Sequence, residues 1–282
     1  MDERWIDVAD TRLFIRSWGN EGGRPVLYWH GVSLAARASL TLNAAGSVLA
    51  DRGFRALAPD APGFGKSAPL ERDTYHPHAL ADFVARLLDA LGLERAPFMG
   101  FSWGGDVGLH LAARHPERLT ALVILDAGYE DPPFDPSQPF ETYLEENERF
   151  WEEACERSWT AALATARRRF NRWSPEIEES FRVAWRQENG RLVPSGSPSV
   201  VAAVERGMAQ ALPSTARPAV AAGGVPVLLV ASQDASEEDL ARFTADLPQA
   251  EIHRATGARH DVLADGGPAL VGLVCDWLDK NR

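Results

Sequence analysis

The sequence is poor in cysteine: Cys155 and Cys275 are its only two, far apart and outside any Cys-x-x-Cys or His/Cys spacing. That scarcity argues against a disulfide framework and a structural zinc site, and two free thiols suit a reducing, cytoplasmic setting. Long apolar runs are missing as well. No stretch of roughly eighteen apolar residues occurs, and Met1-Asp2-Glu3-Arg4-Trp5 has no apolar h-region, so neither a membrane span nor a signal peptide is expected. Basic residues are nowhere dense. The tightest group is Arg167-Arg168-Arg169 in a chain of net charge −11, which makes nucleic acid and anionic membrane poor partners on electrostatic grounds. There is no internal repeat and no low-complexity tract.

What is present is enough apolar material, 45% of 282 residues, for one large core carrying an insertion. Trp5–Val8 and Arg12–Trp18 alternate apolar and polar residues about Ala9-Asp10-Thr11, as an antiparallel hairpin with one wet face would. Pro25-Val26-Leu27-Tyr28-Trp29 is continuously apolar, the pattern of a strand buried on both faces of a parallel sheet. Arg55–Ala58, Ala96–Met99, Leu122–Leu125 and Val225–Val230 read as further strands. Helical stretches lie between them, near 35–51, 77–91, 106–113 and 237–246. A short strand at 251–254 and a last helix follow, with Leu270, Leu273, Val274, Trp277 and Leu278 on one face. From Gly128 to about Gly223 the texture changes: Pro132, Pro133, Pro136 and Pro139 break the chain, and acidic, aromatic helical stretches follow with no strand-like run. The expected organisation is a core in two parts, 1–127 and 223–282, interrupted by a helical cap at 128–222. Strands alternating with helices imply an α/β fold with a mostly parallel central sheet flanked by helices and with right-handed crossovers. Ligands of such sheets sit beyond the carboxyl ends of the strands, where His30, Asp60, Ser102, Asp126, Asp234 and, one loop later, His260 all fall.

Gly100-Phe101-Ser102-Trp103-Gly104-Gly105 is the stretch that carries chemistry. A strand that turns at once into a helix through glycines pushes the one polar side chain at the turn, Ser102, outward, and the helix points its free N–H groups back at it. A serine needs a base and an acid to orient that base. His76, His78, His110 and His115 belong to helical stretches, His253 to a short strand, and His30 opens a glycine loop. His260, in the loop Thr256-Gly257-Ala258-Arg259-His260-Asp261, is left as the base. For the acid, Asp234 after the Val227–Ala231 strand is favoured by the chain order Ser…Asp…His, with Asp126 after the preceding strand as the alternative. Either carboxylate could instead cap a helix.

Four motifs in order, His30-Gly31 after a buried strand, Asp60-x-x-Gly63-x-Gly65-x-Ser67, Gly100-x-Ser102-x-Gly104-Gly105, and the late Asp234 with His260, make the chain resemble the α/β-hydrolase superfamily of capped esterases, lipases, lactonases, epoxide hydrolases and haloperoxidase-like proteins. The resemblance spans the whole core and touches the cap only in position and helical character. It implies Ser102 as nucleophile, His260 as base, Asp234 as acid, and the main-chain N–H groups of Val32 and Trp103 as the oxyanion hole. Two positions depart from the family pattern: Ser232 and Arg259 stand where glycine is common. Arg259 could pair with Asp234, contact an anionic substrate or point to solvent, and the last is favoured. The family's dehalogenase and epoxide-hydrolase branches place aspartate where this chain has Ser102.

The reading that follows is a serine hydrolase of small or medium apolar esters or lactones, acting through an acyl-serine on a small-molecule substrate, with no metal and no organic cofactor. The same triad could serve C–C bond hydrolysis, a lyase, perhydrolase or aminopeptidase reaction, and a third alternative is a ligand-binding protein without turnover. The cap should cover the serine and exclude water, with Phe101 and Trp103 closest in the substrate pocket. Its acidic rim of Glu141, Glu145, Glu146, Glu148, Glu152 and Glu153 would weakly disfavour acidic substrates. The motifs specify no oligomeric state.

Overall fold

A computed structural model describes residues 1–33, 39–156 and 158–281. The chain opens with the expected hairpin, β1 (Asp2–Val8) against β2 (Thr11–Trp18), turned through Ala9 at a left-handed φ of 50°. Then follow β3 (Arg24–Trp29), α1 (Ser39–Asp51), β4 (Phe54–Pro59), α2 (Pro77–Ala90), β5 (Ala96–Phe101), α3 (Trp103–Arg114) and β6 (Leu119–Leu125). The start of the first helix expected near Ala35 lies outside the described residues. Between β6 and the next core strand come α4 (Phe140–Ala154), α5 (Trp159–Arg167), α6 (Pro175–Val183), β7 (Trp185–Glu188), β8 (Arg191–Pro194), α7 (Pro198–Gln210) and α8 (Pro213–Gly223). The chain closes with β9 (Val227–Ala231), α9 (Glu237–Asp246), β10 (Glu251–Arg254) and α10 (Val262–Lys280).

Eight strands form one sheet in the order β1-β2-β4-β3-β5-β6-β9-β10, parallel from β4 to β10 and antiparallel only where β2 meets β1 and β4. The continuous apolar runs behave as their composition requires: Val26 to Trp29, Leu122 to Leu125 and Val227 to Ala231 are all buried, with helices on both sides of the sheet. One face is covered by α1 and α10, which pack on each other and close over Val26, Tyr28, Met99 and Val230. On the other, α2, α3, α8 and α9 cover Leu27, Trp29, Phe98, Ile124 and Leu229. The strand order reverses at β3, so β4 lies to one side of it and β5 to the other. That switch leaves a crevice beyond the strands' carboxyl ends.

Two features differ from the sequence expectation. A two-stranded antiparallel hairpin, β7 with β8, stands inside the stretch expected to be all helical. Its first strand, Trp-Arg-Gln-Glu, is exposed from its second residue on and so carries no apolar run; its signal is the Asn189-Gly190 turn, both residues at positive φ (48° and 78°). And α8, inside the expected 128–222 insertion, packs on α3 in the layer beside the sheet. The chain therefore rejoins the core before Pro213, ahead of the Gly223-Gly224 punctuation that suggested a boundary.

Candidate active site

Ser102 stands between β5 and α3 with φ 52° and ψ −126°, a backbone conformation that costs a non-glycine residue about 1–3 kcal/mol. The surroundings hold it there. Its N–H donates to the Leu125 carbonyl on the neighbouring strand (3.0 Å), and its own carbonyl accepts from Gly105 (2.7 Å). A Cβ on Gly100 would run into the carbonyl of Gly104, and one on Gly104 into the carbonyl of Trp29. The glycines of the motif are thus imposed by backbone contact across the turn, and the hydroxyl is thrown toward the crevice.

Two main-chain donors flank it. Trp103 opens α3, so its N–H has no partner within the helix. The second is reached through a relay that starts in the Asp60 loop. Asp60, fully buried, accepts from Arg16 (2.9 Å) and from the Lys66 N–H (3.1 Å), while Gly65 is kept side-chain-free at φ 54° because a Cβ would strike that carboxylate. The loop so held presents the Ala61 N–H to His30 Nε2 (2.9 Å). With Nε2 an acceptor, Nδ1 carries the proton and donates to the Gly31 carbonyl (2.7 Å). In a trans peptide the Val32 N–H points opposite to that carbonyl. Gly31 itself runs so close that a Cβ on it would lie 2.9 Å from Ser102 Cβ. His30-Gly31 and Asp60-x-x-Gly63-x-Gly65-x-Ser67 are therefore scaffold for the Val32 N–H, and neither side chain faces a reacting atom.

His260 Nε2 lies 3.0 Å from Ser102 Oγ, and its Nδ1 lies 2.8 Å from Asp126 Oδ2. A buried carboxylate on Nδ1 selects the Nδ1–H tautomer, which frees Nε2 to accept from the serine hydroxyl. Asp126 ends β6 at φ 48°, with its side chain 4% exposed. Its other oxygen accepts from the Ser232 N–H (2.7 Å) and from the Tyr129 hydroxyl (2.9 Å). Burial first, and then the Asp126 charge, push the Tyr129 phenol far above its ordinary value, so it stays a donor.

This corrects the favoured acid. Asp234 is exposed, two residues into the turn after β9, where Gln233 is tied to the Ala258 carbonyl (2.9 Å) and the Asp234 N–H rests on Ser232 Oγ (3.3 Å). Its carboxylate is not on His260; Asp126, the alternative, is. Both fit the order Ser…Asp…His, so order could not separate them. The difference lies in Ser232 and Tyr129, which seat one carboxylate and not the other. Neither was expected from the sequence, and a tyrosine three residues beyond a strand-end aspartate is the one trace of it.

The other expected positions divide. Phe101 packs its ring on that of His260 (centroids 4.9 Å apart), but Trp103 is 1% exposed, wedged among Trp29, His30 and Phe64, and so belongs to the core beneath the serine. The His260 side chain is 60% exposed, so water is not excluded from it. Arg259 does not simply face solvent: its guanidinium donates to the Arg168 carbonyl (2.5 Å). Nearby, Asp265 ties the loop of His260 to the chain after α5. One oxygen accepts from Arg259 N–H (2.9 Å), the other from the N–H groups of Asn171 (2.8 Å) and Arg172 (3.0 Å), and the Asn171 amide reaches the Gly257 carbonyl (2.9 Å). Among the described residues no group of His, Cys, Asp and Glu is arranged to hold a metal ion, and no helix is long and apolar enough to cross a membrane.

A strand-turn-helix serine joined to a histidine and a buried aspartate at the crevice of a mostly parallel sheet matches what comparison finds: the model of the alpha/beta hydrolase fold fits residues 24–266. The chain belongs to the α/β-hydrolase family. A 2-hydroxymuconate semialdehyde hydrolase of Pseudomonas putida is 37% identical over 122 residues, covering 43% of this chain and 42% of that protein. Epoxide hydrolase A of Mycobacterium tuberculosis is 34% identical over 124 residues, covering 44% and 38%. The chain thus matches less than half the length of each of these curated relatives. Among solved structures, E-2-(acetamidomethylene)succinate hydrolase aligns with a TM-score of 0.77 at 23% identity, covering 99% of both chains. A thermophilic esterase from Thermogutta terrifontis aligns at 0.71 and 24%, again covering 99% of both. At those identities the α/β-hydrolase likeness is one of fold.

Proposed function

We propose that the protein is a serine hydrolase cleaving an ester or lactone of small or medium size through an acyl-serine. The observation that carries this is the unbroken chain of hydrogen bonds from Ser102 Oγ through His260 to Asp126. His260 Nε2 takes the hydroxyl proton as Ser102 Oγ attacks the carbonyl carbon, and Asp126 steadies the imidazolium that forms. Negative charge collects on the former carbonyl oxygen, where the N–H groups of Trp103 and Val32 meet it; one such donor is worth roughly 3 kcal/mol of barrier. The imidazolium then protonates the leaving oxygen, and in a second round His260 deprotonates a water that releases the acid and restores the serine. The segment between β6 and α8 meets the loop of His260 through residues 168–172, and the substrate enters beside that contact.

Likeness to the 2-hydroxymuconate semialdehyde hydrolase of Pseudomonas putida favours a second reading, in which the same three residues cleave a C–C bond beside a ketone. A serine-directed fluorophosphonate, followed by a panel of esters, lactones and diketones, tests both. Stoichiometric labelling that disappears in Ser102→Ala, together with ester turnover, is expected. Turnover of diketones with silence on esters selects the second reading, and no labelling of folded protein refutes both.

A further inference from the structure

The chain is acidic overall, and most arginines of the described residues reach a carboxylate, as Arg16 does on Asp60, Arg114 on Asp82 and Arg217 on Asp246. Arg168, Arg169, Arg172 and Arg259 depart from that pattern together. All four are exposed, none forms an ion pair among the described residues, and they gather at one place. Arg259 precedes His260, and its guanidinium donates to the main-chain carbonyl of Arg168, whose own guanidinium donates to the Thr165 hydroxyl (3.2 Å). Asp265 fastens Arg172 and Asn171 to the same loop through their N–H groups. The neighbouring Arg167 is already taken by Glu178. Opposing carboxylates are mostly occupied or buried: Asp265, whose oxygens accept from three N–H donors; Glu176, whose carboxyl is held low first by the Ser174 hydroxyl and only last by Arg172; Asp126 and Asp261, both buried, the first on His260 and the second accepting from the Ala264 N–H; and Asp234, in the turn beside Ala258. The glutamates expected to repel an acidic substrate ride on α4, which packs on α7 and β8. A positive rim beside the exposed face of His260, on a chain of net charge −11, concentrates anions there.

We propose that the substrate is an anionic ester, carrying a carboxylate or phosphate a few atoms from the scissile carbonyl, and that Arg168, Arg169, Arg172 and Arg259 recognise the charge. This rests on the serine-hydrolase reading and replaces a wholly apolar substrate with an apolar chain ending in an anion. Guanidinium forks suit both groups.

The test compares matched pairs at low and high salt: 4-nitrophenyl hydrogen adipate against 4-nitrophenyl hexanoate, which places the charge on the acyl side, and 4-carboxyphenyl butyrate against 4-acetylphenyl butyrate, which places it on the alcohol side. In one of the pairs kcat/KM for the anion is expected to exceed that for the neutral ester about tenfold at low ionic strength. That ratio should fall toward one with added salt and in Arg168→Ala/Arg169→Ala/Arg172→Ala. Should the triple variant not fold, Arg169→Glu alone is expected to lower the ratio. A ratio at or below one in both pairs, or one indifferent to salt and to these substitutions, overturns the proposal. Binding of the adipate ester and the hexanoate ester to Ser102→Ala by calorimetry reads recognition without turnover. Tighter binding of the anion supports the rim even if no ester is cleaved, in which case only the hydrolase reading falls, and equal binding overturns the rim.

Discussion

Replacing Asp126 by Asn removes one charge and changes almost nothing in volume, which makes it the sharpest probe of the site. In the native protein the carboxylate accepts three hydrogen bonds, from Tyr129, Ser232 and His260, and is 4% exposed. The Asn oxygen can keep the first two, because both converge on the same atom. Its NH₂ group then faces His260 Nδ1, where the native protein has an acceptor. A donor at that point favours the opposite tautomer, with the proton on Nε2 directed at Ser102 Oγ, and a nitrogen so protonated cannot take the hydroxyl proton. The loss also removes the anion that steadies the imidazolium. In the serine-protease triad this change lowers kcat roughly 10⁴-fold, equivalent to about 5.5 kcal/mol of barrier, and a loss of that order is expected here. Asp234→Asn, at an exposed turn, should leave kcat within about twofold, as surface substitutions away from such networks generally do. The assay is kcat on 4-nitrophenyl butyrate with active sites counted by a fluorophosphonate, and melting curves to show that both variants fold. Equal losses, or a larger loss with Asp234→Asn, would mean that the acid lies after β9 and that the hydrogen bond from His260 to Asp126 is not the working one.

Three further outcomes are expected. Tyr129→Phe deletes a hydrogen bond to a buried charged group and should cost about 2 kcal/mol of folding stability by urea titration, with kcat down several-fold; unchanged kcat would make Tyr129 a packing residue only. Asp265→Ala frees the loop of His260 and residues 171–172 from each other, so amide exchange should rise in both segments and kcat fall roughly threefold or more; exchange rising in one segment alone would break the link. His110, buried on α3 with Nε2 3.2 Å from the Ala211 carbonyl and its ring 5.3 Å from that of His78, has its pKa lowered to about 4, by burial first and then by His78. A histidine whose folded pKa lies below its unfolded one contributes no penalty above pH ~6.5 and costs stability as pH falls toward 4, up to about 3 kcal/mol. Asp106, pushed up mainly by burial, has the opposite slope above its ordinary range, so the diagnostic is a difference: stability measured from pH 7.5 to pH 4 should fall less in His110→Phe than in the native protein, and parallel curves would refute the assignment.

What was legible in the sequence divides along a physical line. Val26 to Trp29, Leu122 to Leu125 and Val227 to Ala231 announced themselves because a strand covered on both faces must be apolar at every position, and the serine turn because its backbone passes too close to Gly104 and Trp29 to admit a Cβ. Constraints of that kind act on single residues and leave their mark at the residue itself. Which carboxylate meets His260 is set instead by a hydrogen bond from the Ser232 N–H, just past β9, and by a tyrosine folded back over three residues. Main-chain donors write nothing into the sequence, so of two aspartates following adjacent parallel strands, Leu119–Leu125 and Val227–Ala231, the sequence favours Asp234, and only the surroundings single out Asp126. The Asp265 tie to Asn171 and Arg172 escaped for the same reason, since the groups it binds are N–H donors that any residue but proline could supply. The β7–β8 hairpin escaped for the opposite one. Its strands are four residues each, β7 is exposed from its second residue on, and the Asn189-Gly190 turn, where positive φ is required twice in succession, is the residue-level trace.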